Sequence, residues 1–220
     1  MKTAGGCVLA AALVVAFASC DGTDVVARYA GSSFAAAADE LGSAMGTEGL
    51  TLRIPTGETV HFSPDLAGAA DIELSLDAAP FLAAGLDPAL LPADPLARWT
   101  LEAGRLVGRF DLAGSGSAVP AADPEGLIAA VAAAARDRLG YHAQLGHYGI
   151  ALGGGNMVEW AADMGKNDKD FVIVLDPGFL RAAGVDAAAV AGWILATVPM
   201  DGPDGKPMEA EKLLRPVDLE

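Results

Sequence analysis

Apolar and polar residues alternate strictly in two short stretches of the chain. Leu50, Leu52 and Ile54 are separated by Thr51 and Arg53, and Ile72, Leu74 and Leu76 by Glu73 and Ser75. A period of two marks a strand with one face buried and the other in water. Residues 171–175, FVIVL, have no polar position, which predicts a strand that is central in its sheet or covered on both faces. Residues 34–46, FAAAADELGSAMG, and 127–140, LIAAVAAAARDRLG, predict helices. The second helix should run from Pro124 to Leu139, with Asp123 as its cap, Arg136 and Arg138 in its last turn and Gly140 as its stop. Leu127, Ile128, Val131 and Leu139 form its apolar stripe.

One phrase is written twice. DIELSLDAAPFLAAGLD, residues 71–87, returns as DFVIVLDPGFLRAAGVD, residues 170–186, and the two are identical at seven of seventeen positions, including Asp71/Asp170, Asp77/Asp176, Gly85/Gly184 and Asp87/Asp186. Each copy is preceded by a helical stretch and a hairpin-like stretch (49–62 and 149–160) and followed by a tryptophan, Trp99 or Trp193. The pattern predicts two homologous halves, 32–112 and 122–219, joined by a linker at 113–121. Within each half, Asp77 and Asp176 read as helix N-caps, Gly85 and Gly184 as left-handed stops, and Asp87 and Asp186 as caps of a second short helix. A hairpin then closes each half, with turns near Ala103-Gly104 and through residues 201–205. Consecutive strands lie too close together for parallel crossovers, so the expected class is α+β: an internally duplicated unit of helix, antiparallel strands, short helices and a closing hairpin, with helices packed on antiparallel sheet.

The first twenty residues, MKTAGGCVLAAALVVAFASC, have one cation at Lys2, an apolar run from Val8 to Phe17, and then small residues. This is the pattern of a signal peptide over 1–19, and the run is short for a bilayer core of roughly 30 Å. Phe17-Ala18-Ser19-Cys20 resembles the lipobox of bacterial lipoproteins, with Phe17 where that family usually carries Leu. The resemblance implies a diacylglyceryl thioether on Cys20, cleavage after Ser19 and acylation of the new amino terminus, which exceeds the roughly two chains needed for stable anchoring. Residues 20–33 then read as a lipidated tether. Cys7 would be discarded with the signal, leaving Cys20 as the sole mature cysteine, so no internal disulfide and no cysteine catalysis is expected. Asp21 resembles the inner-membrane retention signal of enteric bacteria.

Charge narrows the partners. The formal net charge is -15, and loss of residues 1–19 removes only Lys2, giving -16. Such a chain repels phosphate backbones, so no nucleic acid is expected, and the membrane should be held through lipid on Cys20 rather than through a basic patch.

Candidate chemistry is sparse. His142 and His147 stand five apart with Glu159 on a nearby predicted strand, a spacing that differs from the i, i+4 pair of helical zinc sites, so no metal and no other cofactor is expected. Asp77 and Asp176 lack the Asp-Thr-Gly or Asp-Ser-Gly context of a shared-proton carboxylate pair and read as caps. Gly153-Gly154-Gly155-Asn156 precedes a strand-like segment and reads as a hairpin turn rather than a phosphate loop. GKNDKD, residues 165–170, lacks the EF-hand spacing. Trp99, Trp160, Trp193, Tyr148 and Asn156 are the candidate ligand-binding residues, should a groove open between the halves. The expected role is a membrane-anchored, non-enzymatic envelope lipoprotein that binds an envelope protein or an apolar small molecule. The alternatives are a hydrolase or metal-dependent enzyme using His142, His147 and Glu159, and a purely structural lipoprotein.

Overall fold

The computed structural model describes residues 25–66, 70–94, 97–112, 121–142, 145–164, 169–201 and 207–219. Cys20, the signal segment, residues 113–120 of the linker and the turn at 202–206 lie outside the described residues. Among the described residues the chain has an α+β fold of four α-helices and two six-stranded antiparallel sheets. The first sheet comprises β1 (Leu50–Arg53), β2 (Thr59–Phe62), β3 (Ile72–Asp77), β4 (Ala93–Asp94), β5 (Ala97–Glu102) and β6 (Arg105–Phe110), in the order β1-β2-β3-β6-β5-β4. The second comprises β7 (Leu139–His142), β8 (His147–Gly153), β9 (Asn156–Ala161), β10 (Phe171–Leu175), β11 (Ile194–Asp201) and β12 (Pro207–Val217), in the order β11-β12-β10-β9-β8-β7. With β1 set against β8, the five strands β1-β2-β3-β6-β5 and β8-β9-β10-β12-β11 follow the same path. Each sheet adds one further edge strand, β4 beside β5 in the first and β7 beside β8 in the second. The helices are α1 (Val25–Glu40), α2 (Ala79–Ala83), α3 (Pro124–Ala134) and α4 (Pro177–Ala182).

Both sheets share one core. The alternating residues Leu50, Leu52, Ile72, Leu74 and Leu76 are buried in one cluster with Ile150, Val158, Trp160, Phe171, Ile173 and Leu175. Phe34 of α1 joins them: its ring lies 5.2 Å from Phe62 in β2 and 5.0 Å from Trp160 in β9, edge-on to both. Leu127, Ile128 and Val131 of α3 enter the same cluster.

The repeated phrase forms the seam between the halves. Gly85 (φ 104) and Gly184 (φ 88) both have the positive φ expected of helix stops, and they face each other. The Asp87 N–H donates to the Ala183 carbonyl and the Asp186 N–H to the Ala84 carbonyl, each at 2.8 Å. Equivalent residues thus exchange equivalent bonds, as at a two-fold axis. The aromatic side chains cross the seam too: Trp99 stacks on Phe179 of α4 (4.9 Å, 17°), and Trp193 packs edge-on against Phe81 of α2 (5.4 Å, 65°). The shared Asp71 and Asp170 act as latches before the central strands. They are 0% and 2% exposed and accept the Leu112 N–H (2.7 Å) and Leu219 N–H (2.8 Å), which fastens the segment leaving each closing strand.

Four expectations are corrected. The first helix begins at Val25, inside the stretch 20–33 read as tether, because Ala27, Ala30, Gly31 and Ser33 already belong to its buried face. The helix from Pro124 ends at Ala134; Arg136–Arg138 form a 3-10 turn and Leu139 and Gly140 enter β7, where pairing with β8 overrides the helical propensity of the alanine run. Asp77 ends β3 and accepts the Ala79 N–H at 3.1 Å, but the residue at the cap position is Ala78. Asp176 occupies the cap position of α4 without a side-chain cap bond, and its own N–H donates to Asn156 Oδ1 at 3.1 Å. Asp87 and Asp186 do cap short 3-10 turns, accepting the N–H of Ala89 at 3.0 Å and of Ala188 at 3.1 Å.

Candidate functional site

The two sheets differ most on the faces turned away from the core. On the first sheet that face is polar. Thr59 pairs with Ser75, His61 with Glu73, and Glu73 with Arg109. Arg109 binds Glu73 at 2.8 Å through Nε and Glu102 at 2.7 and 2.9 Å through its two terminal nitrogens. The hydrogen bonds from Arg109, and then Thr100, hold the Glu102 carboxyl down to about 2. The same register positions on the second sheet are Met157 paired with Val174, Glu159 with Val172, and Val172 with Pro216. Thr59, Ser75, Glu73 and Arg109 are thus replaced by Met157, Val174, Val172 and Pro216. Thr100, opposite Val107, becomes Ile194, opposite Leu214. The result is an apolar groove of about 240 Å³ across β9, β10, β12 and β11.

One end of the groove carries the histidines. His142 ends β7 and His147 opens β8, and the antiparallel register sets them opposite each other. Glu159 of β9 lies between them, with Oε1 3.0 Å from His142 Nδ1 and Oε2 3.7 Å from His147 Nδ1. The first is a hydrogen bond and the second is too long for one. Glu159 is 4% exposed and His147 5%. Burial raises the Glu159 carboxyl, but the two imidazoles outweigh it and leave the group below its ordinary value. The structure therefore brings together the three residues that the sequence offered as one candidate group. His142 spends Nδ1 on the carboxylate while the buried Nδ1 of His147 stands 3.7 Å from it, and among the described residues no group of three or more His, Cys, Asp or Glu is arranged to hold a metal. The described lining of the groove has no hydroxyl or thiol; its remaining ionisable members are Lys169 and Lys212.

A second concavity, a cleft of about 320 Å³, opens between the halves. Its walls include Pro92, Ala97 and Trp99 from the first half and Arg138, Asn156 and Phe179 from the second.

The sequence candidates fall in different places. Trp99 and Asn156 line the cleft. Asn156 is 2% exposed and is held by the Gly153 carbonyl and the Asp176 N–H. Trp160 is a core residue whose Nε1–H reaches Ser33 Oγ at 2.9 Å and the Ala30 carbonyl at 3.2 Å. Trp193 packs on Phe81, and Tyr148 is half-buried beside Tyr141. Sequence reasoning missed Met157, Val172, Val174, Ile194 and Leu214. The signal was present in FVIVL, which lacks the polar alternation of its partner IELSL. Arg138, read as a helix-end cation, stands instead at the mouth of the cleft.

Among the described residues no helix is long and apolar enough to cross a membrane. No protein-family model, curated protein or solved structure matches this chain, so its function is read from its own geometry.

Proposed function

We propose that this chain is an exported, lipid-anchored, non-enzymatic binding protein, held to a bacterial membrane through Cys20, and that the groove on the second sheet takes an amphiphile with an apolar body and an anionic head. One observation carries the ligand reading: at five register positions where the first sheet presents Thr59, Glu73, Ser75, Thr100 and Arg109 to water, the second presents Met157, Val172, Val174, Ile194 and Pro216. Two sheets of one topology need the same core face, but nothing in the fold requires the second to be apolar on its outer face. Val172 and Val174 are 7% and 4% exposed, Met157 and Pro216 are half-buried and Ile194 is exposed, and an apolar groove that opens to the surface marks an interaction site. The sign of the head group is read from Lys169, the exposed cation of the lining; Lys212 is held by the Gly155 carbonyl at 2.9 Å and Asp176 at 3.8 Å, and Glu159 lies between the two histidines. Anchoring is supported by the signal and lipobox pattern, and it would set the groove beside acyl chains.

Native mass spectrometry of the full-length protein extracted from its membranes, before and after denaturation, tests both parts. Acyl mass on Cys20 together with an amphiphile mass released on unfolding is the expected result. The double variant Met157→Thr, Val174→Ser, which transplants the first sheet's residues, should keep the acyl mass and lose the amphiphile. Absence of acyl mass overturns the anchor. Acyl mass with no bound amphiphile in the parent protein, or one retained by the variant, overturns the groove.

A further inference from the structure

The seam between the halves has two ends related by the pseudo-two-fold, and only one of them is filled. In the second half, the residue two before Val217 on the closing strand is Arg215. Its Nε donates to Glu58 Oε1 at 3.0 Å across the seam, and its Nη1 donates to the Gly192 carbonyl. Glu58 is 3% exposed, so this pair is a buried plug. In the first half, the residue two before Phe110, in register with Arg215, is Gly108, and the residue in register with Glu58 on the hairpin is Asn156. With no side chain at 108, the Trp99 ring settles over the backbone there; a Cβ on Gly108 would lie 2.8 Å from it. Trp99 then stacks on Phe179, and the space that the ion pair fills at the other end is left as the cleft.

The cleft has a chemical character of its own. One wall is the Trp99–Phe179 stack with Pro92, flat and apolar. The other holds Arg138, half-buried, with no ion pair or hydrogen bond among the described residues. The guanidinium lies against the backbone at Gly153, its Nη1 at van der Waals range, 3.4 Å, from the position a Cβ there would take. At the seam's other end, the guanidinium of Arg215 is neutralised by the buried carboxylate of Glu58; here the register position of Glu58 holds Asn156, and Asp94, the carboxylate among the lining residues, is exposed and not paired with Arg138. A guanidinium fork matches a carboxylate in bidentate geometry, and 320 Å³ is at the small end of the roughly 300–1,000 Å³ range of ligand pockets.

The geometry points to the cleft between the halves as a second binding site, for a small carboxylate with a flat apolar body, its carboxylate on Arg138 and its body against the Phe179–Trp99 wall. This site is independent of the groove on the second sheet and does not rest on the reading given for it.

Isothermal titration of the mature protein with 2-naphthoate tests the assignment, with naphthalene-2-carboxamide as the uncharged control. One site of submillimolar affinity is expected, with at least tenfold weaker binding of the amide, equivalent to about 1.4 kcal/mol. Arg138→Met, which keeps an apolar stem and removes the charge, should weaken 2-naphthoate at least tenfold. Ala97→Phe fills the cleft without touching Arg138 and should abolish binding while the circular dichroism spectrum is unchanged. The groove variant Met157→Thr, Val174→Ser should bind 2-naphthoate as the parent does. No binding at low millimolar ligand, equal binding of acid and amide, or binding that survives Ala97→Phe overturns the assignment.

Discussion

Glu159 is the residue at which burial and charge compete most directly. It is nearly enclosed, yet its carboxyl lies below the ordinary value of 4.5, since His142 and His147 outweigh desolvation. A depressed carboxyl contributes stability above its unfolded value, and that contribution is lost as pH falls through the folded value. Glu159→Gln should therefore cost about 1–3 kcal/mol near neutral pH, the range for removing one partner of a buried charged hydrogen bond. The gap between parent and variant urea midpoints should narrow as pH drops below about 4.5. A gap that stays constant down to pH 3 or so would remove the carboxylate from the account. His142, His147 and Glu159 were legible in the sequence as one candidate group, but the geometry that joins them was not. The distance from 147 to 159 says nothing until β8 and β9 pair in register. Asp71 and Asp170 show the reverse: their repetition was plain, and only the folded chain shows them as latches for Leu112 and Leu219.

At the scale of elements, the glycine stops do more than end helices. A Cβ at Gly85 would lie 2.7 Å from the Gly184 carbonyl oxygen, and one at Gly184 2.9 Å from that of Gly85. These oxygens belong to backbone held by the paired bonds across the seam, so neither gives way cheaply. Gly57, at φ 99, has no atom within 4 Å of its Cβ position and so separates strain from contact. Gly57→Ala should cost about 1–2 kcal/mol, the left-handed penalty alone. Gly85→Ala and Gly184→Ala should each cost at least about 1 kcal/mol more, in line with overpacking, as read from urea midpoints. Equal costs at all three positions would deny the close approach. The glycines, the 3-10 caps at Asp87 and Asp186 and the turn at Ala103-Gly104 were readable because each depends on residues close in sequence. The end of the helix from Pro124 was not, since its last residues are drawn into β7 by a strand still to come.

The whole molecule is one core shared by two sheets, and its halves are interlocked. Trp99 needs Phe179, Trp193 needs Phe81, and Phe34 fills the space between Phe62 and Trp160. Neither half can bury its apolar faces alone. Thermal unfolding should therefore be a single transition, coincident by tryptophan fluorescence and far-ultraviolet circular dichroism. Residues 122–219 expressed alone should remain unfolded; a cooperative melt from that fragment would show that the halves are independent. By itself the sequence determined the central strands, the turns, the α+β class and the duplication, because periodicity, turn chemistry and repetition are local properties. Tertiary structure decided what distinguishes the halves. Whether Val174 faces core or groove, whether Glu58 finds Arg215, and whether Arg138 ends a helix or guards a cleft all depend on strand register and on packing across the seam. Those contacts join residues that share no local pattern, so a linear reading has no period in which to find them.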